Sequence, residues 1–167
     1  MSLRIAIVRE VKPPHRGHPD DAGLDFFIPS FTDDFIKEIS LKNHLSRVDV
    51  QNGSICLGAH ERIMIPLGVK IDVPSGWAFV AFNKGGMATK HGVVKLAEVV
   101  DAGYQDEIFA SVVNTGNHTI WLKAGEKLIQ FLLLPIGQTD IEVISEHELF
   151  PNPSSRGTGK LGSTGAH

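Results

Sequence analysis

The feature of this sequence that most constrains its fold is a series of short segments in which apolar and polar residues alternate. Successive side chains of a β-strand point to opposite faces, so each segment is typical of a strand with one face buried. Turn-forming residues such as Asn52-Gly53 separate the segments. Leu128–Ile136 is almost continuously apolar, which predicts a strand buried on both faces. Together these patterns predict an all-β sandwich or barrel. The alternating segments are Leu3–Ile7, Ile63–Val73, Trp77–Ala81, Ile108–Val112 and Ile120–Leu122.

Residues 32–48 depart from this alternation. Thr32 and Asp33 are suitable helix caps. Alternation across Glu38–Lys42 would also fit a strand, but we predict a short helix here. Its apolar face is predicted from residues at i, i+4 and i+7, namely Leu41, Leu45 and Val48.

Charge and cysteine content exclude several classes of function. Lys plus Arg number 16 against 19 Asp plus Glu, a net charge of −3, which argues against stable nucleic-acid binding. The single cysteine, Cys56, excludes an intrachain disulfide and a multi-cysteine zinc site. The eight histidines show no metal-ligand spacing. No apolar run is long enough to span a membrane, so we expect a cytoplasmic protein, in the host cytosol if the protein is viral.

Two glycine-rich segments have the composition of phosphate-binding loops. Residues 83–92 follow a predicted strand and combine glycines with lysines, although a loop with solvated lysines has the same composition. The tail, residues 151–167, is nearly free of apolar residues and combines glycines with Arg156, Ser163 and Thr164. A soluble, disordered tail is the alternative. Lys160 is followed by leucine, so the tail is not a Walker A loop.

Two acidic positions accompany these loops. Asp101 lies between predicted strands, where a carboxylate could act as a general base or simply form a turn. Asp25 closes the acidic segment 20–25, which could hold the waters of a hydrated Mg²⁺ ion.

Taken in order, these segments resemble the five motifs of the trimeric dUTP pyrophosphatases (dUTPases). The resemblance covers most of residues 20–165, and residues 31–56 look like an insertion relative to the family. It implies a jelly-roll or distorted β-barrel over residues 1–150 and a flexible phosphate-binding lid over residues 151–167. The five matching segments are 22–25, 84–92, 99–104, 125–130 and 156–165.

The resemblance also implies the chemistry. Such an enzyme hydrolyses dUTP to dUMP and pyrophosphate, which limits uracil in DNA and supplies dUMP for dTTP synthesis. Asp101 would direct water at the α-phosphorus, Tyr104 would lie under the deoxyribose, and Asp25 would hold waters of Mg²⁺. Uracil would be read by a hairpin over Val94–Val99, and a homotrimer would share its active sites between subunits. The other residues implied for substrate binding are Lys84, Gly85, Gly86, Lys95, Val99, Gln130, Arg156, Gly159, Leu161, Gly162, Ser163 and Thr164.

The sequence departs from the family pattern at several motif positions. Gly85 stands where the family has a serine that contacts phosphate, and Lys84 replaces an arginine. Leu161 replaces an aromatic that stacks on uracil, so it can offer only apolar cover. In the third motif, Gly103 replaces a common aspartate and Asp106 a common glycine.

Two alternatives stay open from the sequence. A dCTP deaminase shares the fold, but Ser111 stands where that family has its glutamate, and Glu107 lies four residues earlier on the same predicted strand. A non-catalytic dUTP-binding or partner-binding protein is the second alternative, with residues 31–56 as the predicted partner surface.

Overall fold

The computed structural model describes residues 2–45, 48–152 and 154–159. Twelve strands and three short helices occur in these ranges, which confirms the all-β prediction. The helices are α1 (Asp33–Lys42), α2 (Gly85–His91) and α3 (Glu146–Leu149). The strands are β1 (Arg4–Ile7), β2 (Leu24–Phe27), β3 (Val50–Gln51), β4 (Ser54–Leu57), β5 (Arg62–Pro66), β6 (Val69–Asp72), β7 (Trp77–Asn83), β8 (Val93–Lys95), β9 (Val99–Val100), β10 (Phe109–Asn114), β11 (Ile120–Lys123) and β12 (Lys127–Pro135).

The strands form four antiparallel sheets. Their orders are β1-β6, β5-β10-β8, β11-β4-β3 and β2-β12-β7-β9. The predicted Asn52-Gly53 turn joins β3 to β4 with φ values of 50° and 69°, which suit a tight two-residue hairpin. Non-consecutive neighbours in the sheets bring distant parts of the sequence side by side.

The β2-β12-β7-β9 sheet supplies much of the core. Phe26, Phe79 and Phe131, from three of its strands, are each at most 1% exposed. The rings of Phe79 and Phe131 stack with centroids 4.9 Å apart. The prediction for Leu128–Ile136 holds only in part: Leu128 and its neighbour Ile129 are both buried, but the strand becomes half-buried after Phe131.

Helix α1 forms where the sequence predicted it but buries a different face. Thr32 caps it by accepting a hydrogen bond from the Phe35 N–H. Phe35 and Ile39, spaced i and i+4, are the buried apolar residues, whereas Leu41 is 76% exposed. The predicted face was therefore wrong, because the helix ends at Lys42 and never reaches the later apolar positions.

Strand β1 also departs from the sequence expectation. All four of its residues are exposed in this chain, including Ile5 and Ile7 on the face that alternation marked as buried. Among the described residues, β1 pairs with β6 alone, in a two-stranded sheet.

The chain divides into two compact units, one ending at Gly137 and the other beginning at Gln138. The second unit contains α3, whose first turn is closed by reciprocal bonds between Ser145 and Glu148. Within the ranges that the structure describes, no helix has the length and apolar character needed to cross a bilayer.

Candidate active site

The first cluster of predicted site residues lies where β2, β12 and β7 run side by side. Asp25 on β2 is directly opposite Gln130 on β12, which is opposite Phe82 on β7. Lys84 follows the end of β7 and pairs its ammonium with Asp25 Oδ1. Segments from three distant parts of the sequence therefore meet at one corner.

Asp25 is the charged centre of this corner. Its side chain is 3% exposed, and Lys127 Nζ forms an ion pair with Oδ2 at 2.7 Å. Both carboxylate oxygens of Asp25 therefore lie beside an ammonium group. Burial alone raises the pKa of Asp25, but Lys127 and Lys84 together outweigh it and lower the pKa below 3.8.

Asn83 fixes the positions of its neighbours in this corner. Its carbonyl oxygen accepts a hydrogen bond of 2.9 Å from Gln130 Nε2, and its Oδ1 accepts one of 2.8 Å from the Lys95 N–H. Gly23 is needed beside Gln130, because a Cβ there would lie 2.6 Å from Gln130 Oε1. The sequence pattern assigned no role to Asn83 or Lys127, although Asn83 lies in the glycine-rich segment 83–92 and Lys127 in the motif segment 125–130.

The predicted loop over residues 83–92 is wrong, because most of it is helix α2. Lys84 is the N-cap in extended conformation, and Gly85 and Gly86 form the exposed first turn. The first N–H groups of a helix have no partner within it, so the backbone here offers donors. Space for a side chain is open at both glycines.

The second cluster surrounds the turn that follows β9. Asp101 and Tyr104 close this turn through a hydrogen bond of 3.2 Å from the Tyr104 N–H to the Asp101 carbonyl oxygen. Both residues, with Val99, line a cavity of about 230 Å³. Val99 is 59% and Tyr104 37% exposed. Burial, then the charges of nearby carboxylates, raises the pKa of Tyr104 above 10.

The hairpin expected over Val94–Val99 is not formed. β8 pairs with β10, whereas β9 pairs with β7, so this segment passes from one sheet to another. Lys95, on β8, directs its ammonium to Glu98, and the Glu98 carbonyl oxygen accepts a hydrogen bond from the Ala81 N–H. The segment therefore runs along β7, away from Lys84.

Sheet geometry separates the two clusters within one chain. Asp25 on β2 and Val100 on β9 are separated by three strand spacings in the sheet order. Asp25 is in register with Phe82 of β7, whereas Val100 is opposite Phe79, so the two are also offset by three residues along β7. With strands about 4.8 Å apart and a rise of about 3.3 Å per residue, Asp25 and Val100 are about 17 Å apart. Asp101 follows Val100 directly, at the start of the turn that the Tyr104 N–H closes.

Glu107 is held by structural bonds rather than free beside the cavity. It precedes β10, so its predicted place on the same strand as Ser111 was wrong. Its carboxylate accepts hydrogen bonds from Arg9 Nε and from the Gly68 N–H at 2.6 Å. Sequence reasoning assigned no role to Arg9, since nothing in the sequence links positions 98 residues apart.

The tail residues are described only in part. Arg156 and Gly159 form a turn, in which the Gly159 N–H donates to the Arg156 carbonyl oxygen at 3.0 Å. Four predicted binding residues lie outside the described residues, namely Leu161, Gly162, Ser163 and Thr164.

A direct metal site is not evident in the part of the chain that the structure describes, where no three His, Cys, Asp or Glu residues group suitably. Asp25 offers a single carboxylate whose oxygens pair with Lys84 and Lys127, so it could meet an ion only through water, as Mg²⁺ commonly permits.

Comparisons with known proteins identify relatives. Residues 49–165 match the model of the dUTPase family. The chain is 30% identical to the deoxyuridine 5'-triphosphate nucleotidohydrolase of Mycolicibacterium gilvum, across 100% of this chain and 98% of that protein. A mutant of Staphylococcus bacteriophage 80alpha dUTPase with dUpNHpp has a TM-score of 0.77 at 19% identity, covering 98% of both chains. A mutant dUTPase from phage phi11 of S. aureus, described with a structural Mg(II) ion, has a TM-score of 0.70 at 18% identity, covering 87% of this chain and 98% of that chain.

Proposed function

This chain belongs to the dUTPase family and is a dUTP-hydrolysing enzyme, and we propose that it forms dUMP and pyrophosphate with Asp101 activating the attacking water. The observation that carries the proposal is the corner where Asp25, Lys84 and Gln130 meet. A corner with two ammonium groups and exposed helix N–H groups is suited to a polyanion.

The phosphate-binding half uses charge and backbone donors. Lys84 and the N–H groups of Gly85 and Gly86 bind phosphate oxygens, with the Gln130 amide beside them. Their work is to neutralise and align the triphosphate, which is the main task in phosphoryl transfer. The tail residues Arg156, Gly159, Gly162, Ser163 and Thr164 add further donors when the lid closes.

The water-activating half is the turn at Asp101. Its carboxylate accepts a proton from water as that water attacks the α-phosphorus, and the leaving group is pyrophosphate. The cavity beside it, lined by Val99 and Tyr104, has room for part of the nucleoside. Lys95 and Leu161 complete the predicted uracil and lid contacts.

Asp25 is the residue that we propose for contact with a hydrated Mg²⁺ ion. Its Oδ2 lies 2.7 Å from Lys127 Nζ, and a carboxylate oxygen has a second lone pair with which it could accept a hydrogen bond from a metal-bound water. The ion, when bound, supplies positive charge that offsets the phosphate oxygens.

We expect a homotrimer with shared sites, as the resemblance to the trimeric dUTPases implies. A general base must lie within hydrogen-bond reach of its water, about 3 Å. The separation of about 17 Å between Asp25 and Val100 within one chain supports a site in which the phosphate half of one chain works with Asp101 of another. Cyclic arrangement of identical chains brings two different surfaces together at each interface.

The test is pyrophosphate release from dUTP, dTTP, dCTP and UTP, with and without Mg²⁺. We expect dUTP to be preferred and Asp101→Asn to lower its turnover at least about 100-fold while nucleotide binding persists. Asp106→Asn is the matched control, since it removes an exposed carboxylate from the same segment. Near-normal turnover in Asp101→Asn would exclude Asp101 as the base, and ammonia release from dCTP would favour the deaminase.

A further inference from the structure

Arg9 joins three parts of the chain that are distant in sequence. Its Nε donates to both oxygens of Glu107, at 2.7 and 2.9 Å, and its Nη2 donates to Glu38 Oε2 at 2.6 Å. The guanidinium also lies 4.6 Å from the ring centroid of Phe35. Its bonding to Glu107, partly opposed by burial, raises the pKa of Arg9 above its ordinary value. Arg9 is thus a fixed, half-buried cation between two carboxylates.

Glu107 holds the end of the segment that carries Asp101 and Tyr104. Its carboxylate also accepts a hydrogen bond from the Gly68 N–H, and only 11% of the side chain is exposed. Its carbonyl oxygen accepts a hydrogen bond of 3.2 Å from the Tyr104 hydroxyl. The position of the Tyr104 ring therefore depends on where Glu107 is held.

Helix α1 provides the other end of this chain of contacts. Glu38 lies on α1, and the helix is fastened to β5 by the side chain of Asn43. Asn43 Nδ2 donates to the Met64 carbonyl oxygen at 2.8 Å, and the Met64 N–H donates to Asn43 Oδ1 at 2.7 Å. Because both ends are anchored, Arg9 has little freedom to move.

We infer that Arg9 is a positioning residue that, through Glu107, sets the place of Tyr104 and thereby the preference for deoxyribose over ribose nucleotides. Helix α1 contributes through Glu38, which gives the inserted segment a part in nucleotide selection. The inference rests on the proposed function, in which Tyr104 lies under the sugar. Arg9 itself touches no substrate.

The first test measures kcat and KM for dUTP and UTP in Arg9→Gln, Arg9→Lys and Glu38→Gln. Arg9→Gln should lower the ratio of kcat/KM for dUTP to that for UTP about tenfold. Arg9→Lys keeps the positive charge but lacks the planar guanidinium that bonds Glu107 and Glu38 together. It should therefore restore the ratio only in part. Lys37→Gln is the control, because it breaks an exposed ion pair on the same helix, and it should leave the ratio unchanged.

The second test observes Tyr104 directly. Tyr104 is the one tyrosine in the chain, so incorporated fluorotyrosine gives a ¹⁹F signal from this position alone. The signal should shift or broaden in Arg9→Gln and not in Lys37→Gln. Glu38→Gln weakens the contact that holds Arg9 to helix α1 but keeps the Arg9–Glu107 pair. It should therefore shift the signal less than Arg9→Gln does, and it provides a folded variant if Arg9→Gln is unstable.

The outcomes separate this inference from the proposed function. An unchanged ¹⁹F signal in both Arg9→Gln and Glu38→Gln overturns the inference, and so does an unchanged nucleotide ratio in variants that fold. If the unaltered protein releases no pyrophosphate from dUTP, the proposed function fails, while the ¹⁹F measurement still decides whether Arg9 positions Tyr104.

Discussion

Mixing two variants of low activity tests whether the active site is shared between chains. Lys84→Ala removes one ammonium from the phosphate corner, and Asp101→Asn removes the base. Loss of a charge-assisted hydrogen bond of about 1.5–3 kcal/mol lowers turnover by about 10- to 100-fold in the first variant. Asp101→Asn is expected to lose at least as much.

Recovery of turnover is expected because Asp25 and Val100 lie about 17 Å apart within one chain, which favours sites that combine the phosphate corner of one chain with Asp101 of another. In a trimer selected through both tags, the two variants occur in a ratio of 2:1 or 1:2. One of its three sites then combines an intact Lys84 half with an intact Asp101 half, so activity should recover to about 33% of that of the unaltered protein.

The assay is pyrophosphate release from oligomers formed by co-expression of two differently tagged chains, isolated through both tags. A pairing of Lys84→Ala with the double variant Lys84→Ala/Asp101→Asn is the control, because no site in it can be complete. Mixed oligomers no more active than either parent would refute the shared site and place both halves of each site in one chain.

Three further perturbations test other parts of the structure. In Asp25→Asn, the free energy of unfolding should fall less steeply as the pH is lowered. Because the pKa of Asp25 is lowered in the folded protein, its carboxylate stabilises the fold above about pH 5, and this stabilisation is lost as the pH falls through 3.8 and below. Denaturant unfolding at several pH values measures this, and equal profiles for both proteins would contradict it. Asn114→Ala should lower the free energy of unfolding by about 3 kcal/mol, because the buried Nδ2 of Asn114 donates hydrogen bonds to three carbonyl oxygens. The control is Asn117→Ala, which changes an exposed side chain. Truncation before Arg156 should abolish turnover yet leave the oligomer intact by size-exclusion chromatography, and retained turnover would exclude a catalytic lid.

Local patterns predicted those elements whose environment is set by neighbours along the chain. The turn at Asn52-Gly53 formed as expected, because positive φ at both positions is a local preference. Helix α1 began after Thr32 for the same reason, since a cap acts within one turn. Its buried face was mispredicted because burial depends on which part of the fold the helix meets: Phe35 and Ile39 are buried, whereas Leu41 is exposed.

The candidate site also contains residues that the sequence could identify and contacts that only the structure shows. The motif residues Asp25, Lys84 and Gln130 were identifiable from the sequence, but their ionic partner Lys127 was not. Ion pairing at Asp25 depends on adjacent strands that are about 100 residues apart in sequence, which no local pattern encodes. The Arg9–Glu107 contact was invisible for the same reason.

Taken alone, the sequence determined the strand-rich class, the turns, the start of α1 and the order of the chemical groups, because alternation and capping act over a few residues. Only the tertiary structure decided that Asp25 lies between two ammonium groups and that β9, which Asp101 follows, lies three strands away from β2 in the sheet. Antiparallel pairing sets distances between residues that the covalent chain leaves free, and those distances separate one half of the site from the other.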